Sequence, residues 1–247
     1  MSSLLAFHGK PEIKQTYLAR VKAHAKADEI VKGRYWENGK GCAVGCTIHS
    51  SQHRNYETEL GIPLRLAYLE DWLFENLPSA EAKKWPAKFL SAIKPGADLS
   101  MVWYQFQHWL LVDPKRGVIR FSGKHDAVRV AIQGVADLYE SVMLGKTITN
   151  DQWAASAESA ASAAWASSTA STASAAWAAS TASTESAESA ESAAWAARAA
   201  RASSAASAES AESAARAARA SSAARTARAS SVKSQSVALL RFLKEAK

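Results

Sequence analysis

Four residues between positions 42 and 53 carry side chains that bind metals or attack electrophiles: Cys42, Cys46, His49 and His53, spaced C-x3-C-x2-H-x3-H. Two thiolates and two imidazoles make a closed tetrahedral zinc set, and a structural site needs all four ligands. Zinc is thus the metal this segment suggests. Ligand pairs in such sites usually come from two separated knuckles, whereas this short stretch would have to wrap around the ion by itself. In the competing reading the cysteines pack as small apolar groups and the histidines cap helices or face solvent. No other cofactor signature is present, so the default expectation is no cofactor.

The same segment reads as an anion cradle. Gly39, Gly41 and Gly45 would let the backbone approach a ligand, while Lys32, Arg34, Lys40, His49, His53 and Arg54 supply positive charge. Tyr35 and Trp36 offer rings that stack on a base. A small nucleotide-like anion held by Arg34, Tyr35, Trp36, Lys40, Gly41, Gly45, His49, His53 and Arg54 is the resulting expectation. The alternative is an ordinary glycine-rich connection, because neither the phosphate-loop nor the dinucleotide pattern occurs. A third reading makes Cys42 or Cys46 a nucleophile with His49 or His53 as base and Glu57 or Glu59 as orienting carboxylate. Nothing in the spacing secures that geometry, so the sequence leans against an enzyme and names no catalytic residue. His24 and His108 read as core-edge histidines. Glu70 and Asp71, being adjacent, point to different azimuths and read as solvated.

The elements that would position these groups are helical. Pro11 suits a first helical turn, and the apolar spacing runs from Ile13 to Val31 until Gly33. Residues 34–50 have neither helical nor strand period and read as a shaped loop. A short helix over 51–60 ends at Gly61. Pro63 opens another through Leu77, and Pro86 divides a segment running from Ser79 to Ala92. Residues 101–112 (MVWYQFQHWLLV) form the most aromatic helix, with Trp103, Phe106, Trp109, Leu110 and Val112 as core. Residues 113–121 read as a turn and a brief extended piece, and residues 125–144 return to helix before Gly145. The expectation is an all-α domain over residues 1–150, of about six helices with at most one strand pair.

From Trp153 to Ser231 the chain is written in triplets. Every third residue is Ser, Trp or Arg, the next is Ala or Thr, and the third is Ala, Glu or Ser. This alanine-rich, low-complexity repeat over 151–231 favours helix through alanine. A step of three slips about 60° backwards around an α-helix, so the code makes no single stripe. Small side chains suit close helix approach, through folding back or a homo-oligomer. The paired serines at 166–168, 202–204, 220–222 and 229–231 are turn candidates. Tandem duplication of a nine-base unit would generate the pattern. Residues 232–247 resume ordinary composition and read as an amphipathic helix with Val237, Leu240, Leu243 and Phe242 inward, docking or capping.

The chain of 247 residues has a net charge of +7 without any dense Lys/Arg block, which argues against nucleic acid as partner. No secretory signal or membrane span is evident, and two cysteines make no disulfide scaffold, so a cytoplasmic location is expected.

The segments KGCAVGCTIH, YETELGIPLRLAYLEDWLFENLP and WLLVDPKRGVIRF resemble an uncharacterised group of bacterial and phage proteins that also end in alanine-rich repeats. The resemblance spans residues 7–145 and implies a phage or bacterial accessory protein, with no activity, cofactor or site residue attached. The sequence then points first to a binding module for a small anionic ligand or a protein partner. A Cys/His metal-site or thiol enzyme and a repeat-built structural or assembly protein are the alternatives.

Overall fold

A computed structural model describes residues 4–122, 126–165 and 211–247. Among them are ten α-helices and one two-residue hairpin, so the protein is all-α. Two compact units emerge, Met1–Trp103 with Ser222–Lys247 and Tyr104–Ser221. Their boundary falls inside the aromatic helix.

In the first unit, Pro11 opens α1 (Pro11–Lys26) at its first turn, where the missing N–H costs nothing. The helix is shorter than the apolar spacing suggests. Asp28 turns left-handed with φ 57°, and Ile30 leaves to bridge Gly41 in parallel. Residues 34–50 are not a loop. They form a hairpin, β1 (Trp36–Glu37) and β2 (Lys40–Gly41), followed by the buried helix α2 (Ala43–Ile48). Asn38 and Gly39 carry the hairpin turn with φ of 51° and 77°, the conformation that Asn-Gly pairs favour between antiparallel strands. Next come α3 (Asn55–Leu60) and α4 (Leu64–Asn76), which starts behind Pro63. Pro86 divides the following segment as expected, into α5 (Ser79–Ala82) and α6 (Trp85–Ala92). The core gathers Phe7, Tyr56, Leu60, Leu66, Leu73, Phe74, Trp85 and Phe89, all essentially inaccessible to solvent.

The aromatic helix α7 (Val102–Val112) begins in this unit and continues into the second. Trp103, Phe106 and Leu110 are buried as expected, while Trp109 and Val112 are only half-buried. In the second unit the turn after α7 leads to a 3₁₀ segment, Val118–Phe121, in place of the expected extended piece. There α8 (Asp126–Met143) packs on α9 (Asn150–Trp165). The seam consists of Val128, Ile132, Val135 and Tyr139 against Trp153, Ala157, Ala160 and Ala163. The three alanines occupy the same position of successive triplets, and their slow drift around the helix still covers one broad contact face over three repeats. Trp153 anchors that face, its ring 4.9 Å from that of Tyr139.

The chain re-enters the first unit through α10 (Ala211–Glu245). The serine pairs at 220–222 and 229–231 lie inside this helix and do not break it; those at 166–168 and 202–204 fall outside the described residues. The inward stripe of α10 is Val232, Ser236, Leu239 and Leu243, whereas Val237 is 62% exposed. The terminal segment docks as expected. Asp98 N–H donates to the Lys247 carbonyl (2.8 Å), and Lys233 pairs with Glu81 (2.9 Å).

Candidate functional site

Helix α2 decides what the Cys/His segment does. It places Cys42 at its N-cap and His49 at its C-cap, about 10 Å apart at 1.5 Å per residue, so the four expected zinc ligands separate. Cys42 accepts from Gly45 N–H at 3.4 Å, and its neighbours are Asp71 and the apolar core. Burial and then the Asp71 carboxylate push its thiol far above the ordinary range. Cys46 donates to the carbonyls of Gly41 (3.3 Å) and Glu29 (3.6 Å), and burial raises its thiol to about 12. His53 is buried, stacked on Tyr68 at 4.8 Å, with Nε2 3.6 Å from Asp71 Oδ2. His49 lies elsewhere, stacked on Trp36 at 4.6 Å. Among the described residues no three His, Cys, Asp or Glu side chains are grouped to hold a metal ion.

The thiol-nucleophile reading meets the same geometry. Both thiols are held in the protonated form, and the group beside Cys42 is a carboxylate, which opposes thiolate formation. The carboxylates expected to orient a base have other duties. Glu57 caps α4 through Leu64 N–H (2.9 Å), and Glu59 accepts from Tyr17 OH (2.6 Å).

The glycines of the expected anion cradle are used by the protein's own backbone. A Cβ on Gly41 would lie 2.2 Å from the Tyr35 carbonyl oxygen, and one on Gly45 only 1.6 Å from it. That carbonyl and the Arg34 carbonyl both accept from Cys42 N–H, at 3.1 and 2.7 Å. The space beside Gly41 and Gly45 is therefore filled by backbone. Of the charges around it, Arg34 pairs with Glu37 (3.2 Å) and Lys32 donates to the Leu77 carbonyl. Tyr35, Lys40 and Arg54 are exposed.

Two arrangements were not legible from local spacing. One is a line of three polar side chains where the end of α1 meets the C-cap of α2. His24 Nδ1 lies 2.6 Å from Glu29 Oε2, and His24 Nε2 lies 2.7 Å from His49 Nε2. Burial, then Arg20 and His24, hold the His49 imidazole below its usual value. The other is inside α4. Glu70, expected in solvent, is wholly buried, accepting from Tyr56 OH at 2.7 Å, and burial pushes its carboxyl well up.

A groove of about 660 Å³ runs between α1, α6 and α10. Its walls carry Lys22, Lys83, Lys84, Lys88 and Lys244, and its floor is Ala25, Ala87, Ala92 and Leu240. Lys83 pairs with Asp28, and that contact, with the nearby Lys40, holds the Asp28 carboxyl below its usual range. The other four ammonium groups have no acidic partner among the described residues. The only signal in the sequence is the Lys83, Lys84, Lys88 spacing; Lys22 and Lys244 arrive from distant segments. Among the described residues no helix is long and apolar enough to cross a membrane.

No family model, no curated protein and no solved structure matches this chain.

Proposed function

We propose that the protein is a binding module whose working surface is the lysine groove, and that its partner is an acidic, amphipathic segment of another protein. The observation that carries this reading is that five lysines line one groove together with Ala25, Ala87, Ala92 and Leu240, four of them without an acidic partner among the described residues. Like charges gathered at short range repel one another, and a bound anion relieves that repulsion while their summed field steers it in. Lysine is a flexible point charge without a fixed fork, so the walls supply attraction more than geometric selection. The alanines and Leu240 supply the rest. A segment carrying Asp or Glu beside Ala or Leu satisfies both walls and floor, whereas a bare phosphate chain satisfies only the walls. Among the described residues no aromatic ring lines the groove to stack on a base, which favours the protein partner over a nucleotide-like anion.

Fluorescence anisotropy tests this with a labelled Glu/Leu-rich helical peptide, with ATP as competitor. The peptide should bind, weaken as salt rises, and lose at least about tenfold in affinity to Lys84→Glu/Lys88→Glu, with unchanged circular dichroism. ATP should compete poorly. Displacement of the peptide by low ATP would move the assignment to a small anion, and equal binding by the charge-reversed protein would sink the groove altogether.

A further inference from the structure

Apart from the groove, the molecule holds a pair of histidines whose ring nitrogens converge. We propose that His24 and His49 form a two-imidazole site for a late first-row divalent metal ion, copper(II) foremost, with Glu29 as the carboxylate that orients the first ligand.

His24 Nε2 and His49 Nε2 face each other at 2.7 Å, and Nδ1 of His24 lies 2.6 Å from Glu29 Oε2. A carboxylate oxygen can only accept, so Nδ1 of His24 carries the proton and its Nε2 lone pair is turned toward His49. A histidine that ligates a metal is typically held in this way, with its second nitrogen donating to a carboxylate. Glu29 itself is placed by the left-handed turn at Asp28 that ends α1, where Glu29 N–H donates to the His24 carbonyl at 3.0 Å.

His49 is held just as deliberately. It is the C-cap of α2, in a left-handed conformation with φ 53° and ψ 39°, which a residue with a Cβ adopts at a cost. Its ring is clamped flat against Trp36 at 4.6 Å and meets the His24 ring edge-on at 5.0 Å. Two imidazoles on one ion, with bonds of about 2.0–2.1 Å, bring their nitrogens to about 2.9–3.3 Å. In the metal-free state the two rings meet nitrogen to nitrogen, with centroids 5.0 Å apart, so a shared ion needs both rings to turn until their lone pairs leave that line, as well as a few tenths of an ångström of opening. His49, exposed at the end of its helix, is open on one side to such a turn.

Without metal the two rings share one proton, with His49 Nε2 donating to His24 Nε2. Binding shifts that proton to Nδ1 of His49 by exchange with solvent, so both Nε2 lone pairs face the ion and no net proton is lost. Of the charged groups that act on His49, Arg20 opposes a cation, while Glu59 and Glu29 favour one and partly offset it. Copper(II) leads because imidazole affinity peaks there in the divalent series. With two protein ligands, the ion keeps open positions for water or an added ligand.

Copper(II) binding to the full chain, followed by calorimetry and electron paramagnetic resonance in a non-coordinating buffer, tests the proposal. One equivalent should bind with hyperfine splitting from two imidazole nitrogens. His24→Gln and His49→Gln should each abolish that signal, Glu29→Gln should weaken binding by about tenfold, and His108→Gln should leave it unchanged. Far-ultraviolet circular dichroism on each variant separates lost ligands from lost fold. The proposal is overturned if the wild-type protein binds no stoichiometric copper, or if the two-nitrogen signal survives in a folded His24→Gln or His49→Gln protein.

Discussion

The glycine-, cysteine- and histidine-rich segment and the lysine groove treat polar groups in opposite ways. In the segment nearly every polar group is answered from within. Cys42 takes Gly45 N–H, Cys46 gives to two carbonyls, Arg34 finds Glu37, and the space left by Gly41 and Gly45 is filled by the Tyr35 carbonyl. In the groove four of five ammonium groups are answered by nothing among the described residues. Chemistry-bearing residue types thus serve folding where they are satisfied. Plain lysines become a candidate site where they are not, because unneutralised charge in one place is an interaction still to be made.

The contrast can be broken most sharply at Gly45. Gly45→Ala puts a methyl 1.6 Å from a backbone oxygen, which no rotamer change can relieve. It should cost about 3 kcal/mol or more, read as a lower urea midpoint, or abolish folding of the first unit. A protein of undiminished stability would show that the segment has room for a ligand after all.

A second test concerns the buried Glu70. Its carboxyl is raised in the folded state, so its protonated form is the one that folding favours. That contribution is complete below the ordinary carboxylate value of 4.5 and fades as pH rises toward the folded-state value. Glu70→Gln keeps an acceptor for Tyr56 OH and removes the titration. Urea midpoints for wild type and variant should lie close together in mild acid and diverge toward pH 8, with the variant more stable. Parallel curves would mean that Glu70 is not held neutral.

The smallest effect is expected at Asp28→Asn. The Lys83–Asp28 pair is exposed on both sides, so stability should change by less than about 0.5 kcal/mol. Lys83 would then be free to face the groove, and affinity for the acidic peptide should rise slightly in anisotropy titrations. A fall in affinity would mean that Asp28 helps to shape the site.

Much of the helical framework was legible because its signals are local. Pro11, Pro63 and Pro86 mark helix starts through what proline cannot do, and Gly145, with φ 80°, ends α8 as expected. The hairpin carries a strong turn signal in Asn38-Gly39, but the glycine density around that pair masks it, and the segment reads as a loop. Helix α2 was not. Its six residues all lie in the core, and continuous burial leaves no periodicity to read. The fate of Glu70 depends on Tyr56, fourteen residues earlier, and on burial that no neighbouring residue announces. The groove was the least legible part, because residues 22, 83–88 and 240–244 meet only after three helices have packed.

That assembly carries a consequence for how the protein is made. The last residues to line it, Leu240 and Lys244 on α10, are translated after the triplet tract, about 150 residues behind Lys88, or roughly 8–30 s later at ordinary elongation rates. The surface proposed for binding is therefore absent from any chain still on the ribosome short of that point. An insertion or deletion in the tract that keeps the reading frame spares Leu240 and Lys244; one that shifts the frame removes them.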